Sequence, residues 1–292
     1  MEIREALQFN LEELGRWTPG RAMSVGKEAI TAYARATDET APLALDGRVA
    51  TPVFAIVPVW TTLQEAARSV APEEARPYVV HGDQDILISA PIQAGMTLRS
   101  RAAPVGVHVK ESGTTVVLKT ETRDGDDRLL NEQYVTEFYR GVSGGTGGGE
   151  QAPDHRTPQE LADAEPVTEL TFPVAQNQTQ RYAEASGDHN AFHLDDQAAR
   201  AAGLTGIIVH GLCLMAFAGR AVLASQNIDD PAAVRRLAVR FSRPMTPGGA
   251  LTTRIYRPKQ DAGAVVFDAV DDAGTVVLKD GLAELGETRS PR

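Results

Sequence analysis

The chain contains a single cysteine, Cys213, in 292 residues. No intramolecular disulfide can form, and no zinc site can be assembled from thiolates. Cys213 lies in an apolar run and is expected to be a small core residue rather than a nucleophile. Positive charge is also in deficit, with a formal net charge of −10. Such a surface repels nucleic acid and anionic membranes, although a few local arginines can still meet the phosphates of a small ligand. No apolar run reaches the roughly 18 residues needed to span a membrane. The first residues, Met1-Glu2-Ile3-Arg4-Glu5, lack the basic stretch followed by an apolar segment that marks a secretion signal. A reducing, cytoplasmic location is the expectation.

What is present is ordinary folded-protein material: 42% apolar and 23% charged residues. That is enough for a sizeable core in each of two domains, the number favoured at this length. Glycine concentrates in one place, Gly141-Val142-Ser143-Gly144-Gly145-Thr146-Gly147-Gly148-Gly149. Ordering such a run as helix or strand loses too much backbone entropy, so it reads as a linker, continued by polar residues to about Pro158. The expected division is a domain over 1–141, a linker over 142–159 and a second domain over 160–292.

The two halves echo each other. Tyr33-Ala34-Arg35-Ala36-Thr37-Asp38 parallels Tyr182-Ala183-Glu184-Ala185-Ser186-Gly187-Asp188, and Ala90–Leu98 matches Arg243–Leu251 without a gap. Each half ends in alternating strands around an Asp/Gly turn, Asp124-Gly125 in the first and Asp271-Asp272-Ala273-Gly274 in the second. Each also carries one long apolar stretch, about Val53–Ala67 and Gly211–Leu223, with Pro58 starting or kinking the first. Three matches in one order suggest an internal duplication. A buried helix followed by antiparallel strands implies an α+β layer.

The chemistry concentrates between residues 180 and 211. A helix runs up to Ala185, and Ser186-Gly187-Asp188-His189-Asn190 favours a turn. A new helix starts near Leu194 and stops near Gly203. Asp188, Asn190 and His193 therefore fall on a polar loop between two helices, a common place for catalytic groups. Ile207-Ile208-Val209-His210-Gly211 then leads into the buried helix. There Gly211 would offer a backbone N–H at a helix N-terminus, suited to an oxygen that gains negative charge.

This segment resembles the hydratase-2 signature of MaoC-like, R-specific enoyl-CoA hydratases: Tyr182, Ser186, Gly187, Asp188, Asn190, His193, then Ile208, His210, Gly211 and Leu212. Ala191 departs from it, since the family usually has proline there. Arg240-Phe241-Ser242-Arg243-Pro244 with Pro247-Gly248 resembles the family's following strand and turn. The resemblance covers essentially the whole chain. It implies a double hot-dog fold, two antiparallel sheets each wrapped around a central helix. The first half is then a degenerate repeat, with Thr40 opposite Asn190, Leu43 opposite His193 and Thr51-Pro52-Val53 near the place of His210-Gly211. In relatives of this form that half shapes the acyl-chain pocket. Its His81-Gly82-Asp83-Gln84 is either a loop near the substrate, as in the family, or a turn before a strand Ile86–Ser89.

The implied reaction is reversible hydration of a trans-2-enoyl thioester to the (R)-3-hydroxyacyl thioester. It needs a base to activate water for C3, an acid for C2 and a donor to the thioester oxygen. His193 is assigned as base and Asp188 as its partner and the C2 proton donor. Asn190 fixes the water or the loop, and the Gly211 N–H makes the oxyanion contact. Ser186 and Gly187 supply turn geometry near the substrate, and His210 orients the start of the helix. His189 is expected to be exposed. Arg240, Arg243 and Arg254 are candidates for nucleotide phosphates. No metal or redox cofactor is required, because coenzyme A or phosphopantetheine is part of the substrate. A homodimer is expected. A dehydratase acting on carrier-bound 3-hydroxyacyl chains, a hot-dog thioesterase and a non-catalytic acyl-thioester binding protein are the alternatives.

Overall fold

A computed structural model describes residues 7–161, 163–256 and 263–286; the amino-terminal residues read above for a secretion signal lie outside these. The first half runs β1 (Arg21–Ser24), α1 (Lys27–Ala36), α2 (Pro42–Leu45), α3 (Ile56–Val70), β2 (Val79–Ile88), β3 (Thr97–Lys110), β4 (Gly113–Arg123) and β5 (Leu129–Arg140). A two-residue strand, β6 (Gly148–Gly149), follows. The second half runs β7 (Thr168–Pro173), α4 (Gln178–Ser186), α5 (Asp196–Ala201), α6 (Gly211–Ser225), β8 (Val234–Phe241), β9 (Ala250–Tyr256), β10 (Ala264–Val270) and β11 (Val276–Leu285). The element order repeats one for one, so the duplication extends through the whole fold.

Backbone hydrogen bonds repeat as well. The Gly95 N–H donates to Val25 O (2.8 Å) and the Gly248 N–H to Val174 O (2.9 Å); the Ala50 N–H donates to Ile92 O (2.9 Å) and the Val209 N–H to Met245 O (2.8 Å). Gly95 and Gly248 both adopt positive φ, 86° and 96°, a conformation that a side chain would strain. These pairs equate Ala50 with Val209, and hence Thr51 with His210 and Pro52 with Gly211.

The strands form a continuous antiparallel sheet in the order β1-β3-β4-β5-β2-β8-β11-β10-β9-β7, with β6 pairing to β3. The two half-sheets thus join edge to edge at β2 and β8, where Asp83 faces Arg240 and Leu87 faces Arg236. This is the α+β double hot-dog. Each half-sheet lies against its long helix. α3 buries Ile56, Val59, Leu63, Ala66 and Val70, and α6 buries Leu212 through Met215 and Phe217 through Leu223. Pro58 is in the first turn of α3, where its missing N–H has no helical partner to lose. Cys213 is fully buried, and burial pushes its thiol up to about 12.

Three local expectations are corrected. The glycine run is an ordered strap rather than a loose tether: Gly148 and Gly149 pair with Val107 and Gly106, and the Glu150 N–H donates to Val105 O (2.7 Å). A Cβ on Gly149 would stand 2.2 Å from Val105 O and one on Gly147 2.6 Å from Val107 O. Only glycine permits that approach, and the ladder bonds offset the entropy of ordering it. His81–Gln84 is neither loop nor turn but lies inside β2, with a register shift between His81 and Asp83 of the kind a bulge at a glycine produces. Finally, the helix after the polar loop begins at Asp196, capped by Asp195, whose Oδ1 accepts from the Ala198 N–H (2.6 Å).

Candidate active site

The polar loop leaves α4 through Gly187 at φ 80°, a left-handed C-cap whose N–H returns to Ala183 O. The Ser186 Oγ accepts the Asp188 N–H (3.2 Å). Ser186 and Gly187 therefore shape the loop itself, which redirects the chain so that Asp188 projects beside α6. The Asp188 Oδ1 accepts from the Asn190 side-chain amide (2.7 Å) and backbone N–H (3.2 Å), so Asn190 holds the carboxylate. A single 3-10 turn, Ala191–His193, then carries His193 inward to a buried position. His189 points outward and is exposed.

The His193 Nδ1 lies 2.8 Å from Ile208 O. A carbonyl only accepts, so Nδ1 carries the proton and Nε2 keeps its lone pair. The His210 Nε2 is 3.0 Å from Asp188 O, which by the same reasoning fixes the opposite tautomer and leaves the buried Nδ1 without a partner. The two imidazoles stack, with centroids 3.7 Å apart and planes 24° off parallel. Burial pushes His210 down to about 3, aided by His193 alongside. Burial also lowers His193, against the Ile208 carbonyl and Asp188. It raises Asp188, against His193 and Asn190. Desolvation thus favours the uncharged acid–base pair.

Beside this pair α6 begins. Its first N–H groups, at Gly211 and Leu212, have no carbonyl of their own helix to bond, and its N-terminus carries partial positive charge. A Cβ on Gly211 would stand 2.8 Å from Phe241 Cδ1, so the ring of Phe241 reaches the helix start only because residue 211 has no side chain. The site therefore offers a base, an acid and an anion-stabilising helix end together. Asp188, His193 and His210 also place ligand atoms within 4.8 Å of one another. The imidazoles are stacked, however, so their lone pairs lie in two nearly parallel planes instead of converging on one point, which does not fit a shared metal ion.

The other residues singled out from sequence fall elsewhere. His81 lies on β2 with its ring 4.6 Å from that of Phe241; its Nε2 is shielded without a partner, and burial pushes it down to about 4. Gly82 packs near Thr136 O. The Arg240 Nε donates to Asp83 (2.8 Å) and the Arg254 guanidinium to Asp268 (2.7 and 2.6 Å), so both are committed to ion pairs. Arg243 is exposed, between Phe241, which abuts Gly211, and Met245, which accepts the Val209 N–H. One residue against the site was missed: Phe241, beside Gly211, was read only as part of a strand. Tyr33, whose ring meets that of Tyr182 behind the site, was read only as a marker of the repeat.

Residues 158–273 match the family described as MaoC like domain, and residues 46–141 match the MFE-2 hydratase 2 N-terminal domain. A Mycobacterium tuberculosis protein named 3-hydroxyacyl-thioester dehydratase Y is 30% identical over 70% of this chain and 72% of its own length. The peroxisomal multifunctional enzyme type 2 of Drosophila melanogaster is 29% identical over 99% of this chain. The chain spans about half, 47%, of that relative's length. Among solved structures, a MaoC-like dehydratase from Phytophthora capsici superposes with a TM-score of 0.83 at 24% identity, covering 96% of this chain and 100% of that one. A Mycobacterium tuberculosis protein described as a double hotdog fold gives a TM-score of 0.59 at 15% identity, over 93% and 96% of the two chains. No helix among the described residues is long and apolar enough to cross a membrane.

Proposed function

The chain belongs to the MaoC-like dehydratase and hydratase 2 family, and from that premise we propose that it is a hydro-lyase interconverting trans-2-enoyl and (R)-3-hydroxyacyl thioesters. The observation that carries the reading is the Asp188–His193 pair, with the His193 proton held on Nδ1 by Ile208 O, placed beside the bare N-terminus of α6. A water between the two side chains gives its proton to the His193 Nε2 as its oxygen attacks C3. The Gly211 N–H receives the charge that builds on the thioester oxygen. Protonated Asp188, whose acidity burial weakens, then delivers a proton to C2. A proton passing from His193 to Asp188 resets the pair, and the reverse sequence is dehydration. No cofactor enters these steps.

The catalytic role falls to 160–292, and 1–141 shapes the acyl pocket across the seam, with 142–159 as the strap between them. Arg243 is positioned to meet a phosphate of coenzyme A, with no ion pair of its own among the described residues. The same residues serve a substrate carried on phosphopantetheine, and the mycobacterial relative's name, 3-hydroxyacyl-thioester dehydratase, covers both carriers. A second copy of the chain is the expected partner. The buried, weakly acidic thiol of Cys213 suits a reducing cytoplasm.

The test follows enoyl-thioester absorbance with crotonyl-CoA and a longer enoyl-CoA, alongside product chirality and free thiol. Loss of absorbance with the R product and no thiol supports the hydratase. Turnover restricted to carrier-bound chains selects the dehydratase reading. Thiol release would mean hydrolysis and would overturn both.

A further inference from the structure

Six rings stand in line from the first half to the catalytic histidine. Phe54 meets Tyr33 edge-on (centroids 5.4 Å, 87°), and Tyr33 meets Tyr182 (5.6 Å, 62°). Tyr182 meets His210 (4.9 Å), His210 stacks on His193 (3.7 Å), and Phe192 closes the line at 4.3 Å. The Tyr33 and Tyr182 hydroxyls share a hydrogen bond of 3.1 Å between halves. Tyr33 is 0% exposed, Tyr182 and His210 1% each, and Phe54 1%. Rings packed this tightly shift together, because an interior at crystal-like density has no slack to absorb a tilt.

The end of the line matters most. His210 touches both catalytic residues, through its face to the His193 ring and through its Nε2–H to the Asp188 carbonyl. The Ile208 carbonyl holds one edge of His193; Phe192 meets the ring at 56°, while the His210 ring lies nearly flat against its face and sets the tilt of its plane, and with it the direction of the Nε2 lone pair. His210 in turn leans on Tyr182, and Tyr182 on Tyr33. We propose that Tyr33, supplied by the half that lacks catalytic groups, is a positioning residue for the reaction, setting the plane of His193 through Tyr182 and His210. This rests on the hydro-lyase reading above. It assigns the first half a part in the chemistry itself, beyond shaping a pocket.

A tie that bypasses the rings supplies the control. The Arg181 guanidinium grips the Asp38 carboxylate (2.7 and 2.9 Å) between the same two helices, α1 and α4. Tyr33→Leu removes the ring, Tyr33→Phe keeps it without the hydroxyl, and Arg181→Ala loosens the interface without touching the line. Expected for Tyr33→Leu is a fall in kcat of about tenfold or more with KM within about twofold, since small misplacement of reacting groups costs rate before binding. Tyr33→Phe and Arg181→Ala should stay within about threefold of wild type. Independently of activity, 15N-histidine spectra should show the His193 Nδ1–H resonance broadened in Tyr33→Leu and sharp in Arg181→Ala. Equal kcat losses in Tyr33→Leu and Arg181→Ala, or an unmoved His193 resonance in Tyr33→Leu, would overturn the proposal. A wild type inactive on every enoyl thioester would sink the hydro-lyase reading instead, leaving the spectra to judge the positioning role.

Discussion

Asp38 and Asp188 stand at the same point of the two repeats, after the same Tyr-Ala helix, and their surroundings have diverged completely. Among the described residues the Asp188 carboxylate bonds only its own loop, through Asn190, and stays available beside His193. The Asp38 carboxylate is closed off by both amines of Arg181, and its carbonyl accepts from Arg220, a buried residue of α6 in the other half. Where Gly211 opens α6 with free N–H groups, Pro52 opens the first-half counterpart with no N–H to give. Leu43 lies in the short helix α2, opposite the turn that carries His193. The lesson is that equivalent positions of a repeat can keep one scaffold while their polar groups take different work, at Asp38 an ion pair that ties the two halves together.

The largest expected difference is in rate. Asp188→Asn and His193→Ala should each lower kcat by about 10³-fold, as expected for loss of a general acid or base, whereas Asp38→Asn should leave kcat within about twofold. A comparable loss in Asp38→Asn, in the steady-state assay above, would erase the distinction between the loops. Next, Gly211→Ala should lower kcat by about 10²-fold, the scale of a lost oxyanion donor, because the new Cβ presses on Phe241. Pro52→Ala at the equivalent position should change it little.

A third contrast lies in acid stability. Burial depresses His193 and His210 in the second half, the latter to about 3, and His81 in the first to about 4. Below the ordinary histidine value of about 6.5 the unfolded chain takes up protons that these buried rings refuse. Their contribution is therefore complete above that value and is lost as pH falls. Each removes about 1.4 kcal/mol per pH unit across its window. His155 works the other way: Asp83 and the Asp280 carbonyl raise it despite burial, so its contribution is complete below about 6.5 and is lost at higher pH. Melting temperature measured from pH 7 to pH 4 should fall, and His210→Gln should flatten the slope by one proton; an unchanged slope would refute the buried neutral histidine. The smallest effect is Ala191→Pro. Residue 191 opens the 3-10 turn after an extended Asn190 (φ −57°, ψ 126°), a backbone that proline tolerates. It should stabilise by about 0.4–1 kcal/mol in thermal unfolding with activity kept.

Much of the fold and of the candidate loop was legible because local chemistry wrote them. Gly187, Asp195 and the Asp/Gly turns mark ends of elements by their own conformational preferences. The signature spacing gathers Asp188, Asn190 and His193 on one short loop, so they are neighbours in any fold. The duplication was readable from three matched segments, and the halves and their long helices followed from it.

What the linear order did not carry were contacts between residues far apart in sequence. The glycine strap reads as a loose tether until β3 offers it a hydrogen-bonding edge. His81–Gln84 looks like a loop until β5 and β8 pair with it on both sides. Arg240 looks like a phosphate ligand until Asp83 faces it across the seam. The ring line from Phe54 to His193 spans both halves and has no signature, because it depends on which faces meet when two sheets close. By itself the sequence determined the repeat, the family and the polar loop that gathers Asp188, Asn190 and His193, all encoded in short-range spacing and side-chain chemistry. Only the tertiary structure decided which polar groups remain free to react and which are clamped, because that depends on partners 140 or more residues away, as Asp38 with Arg181 shows.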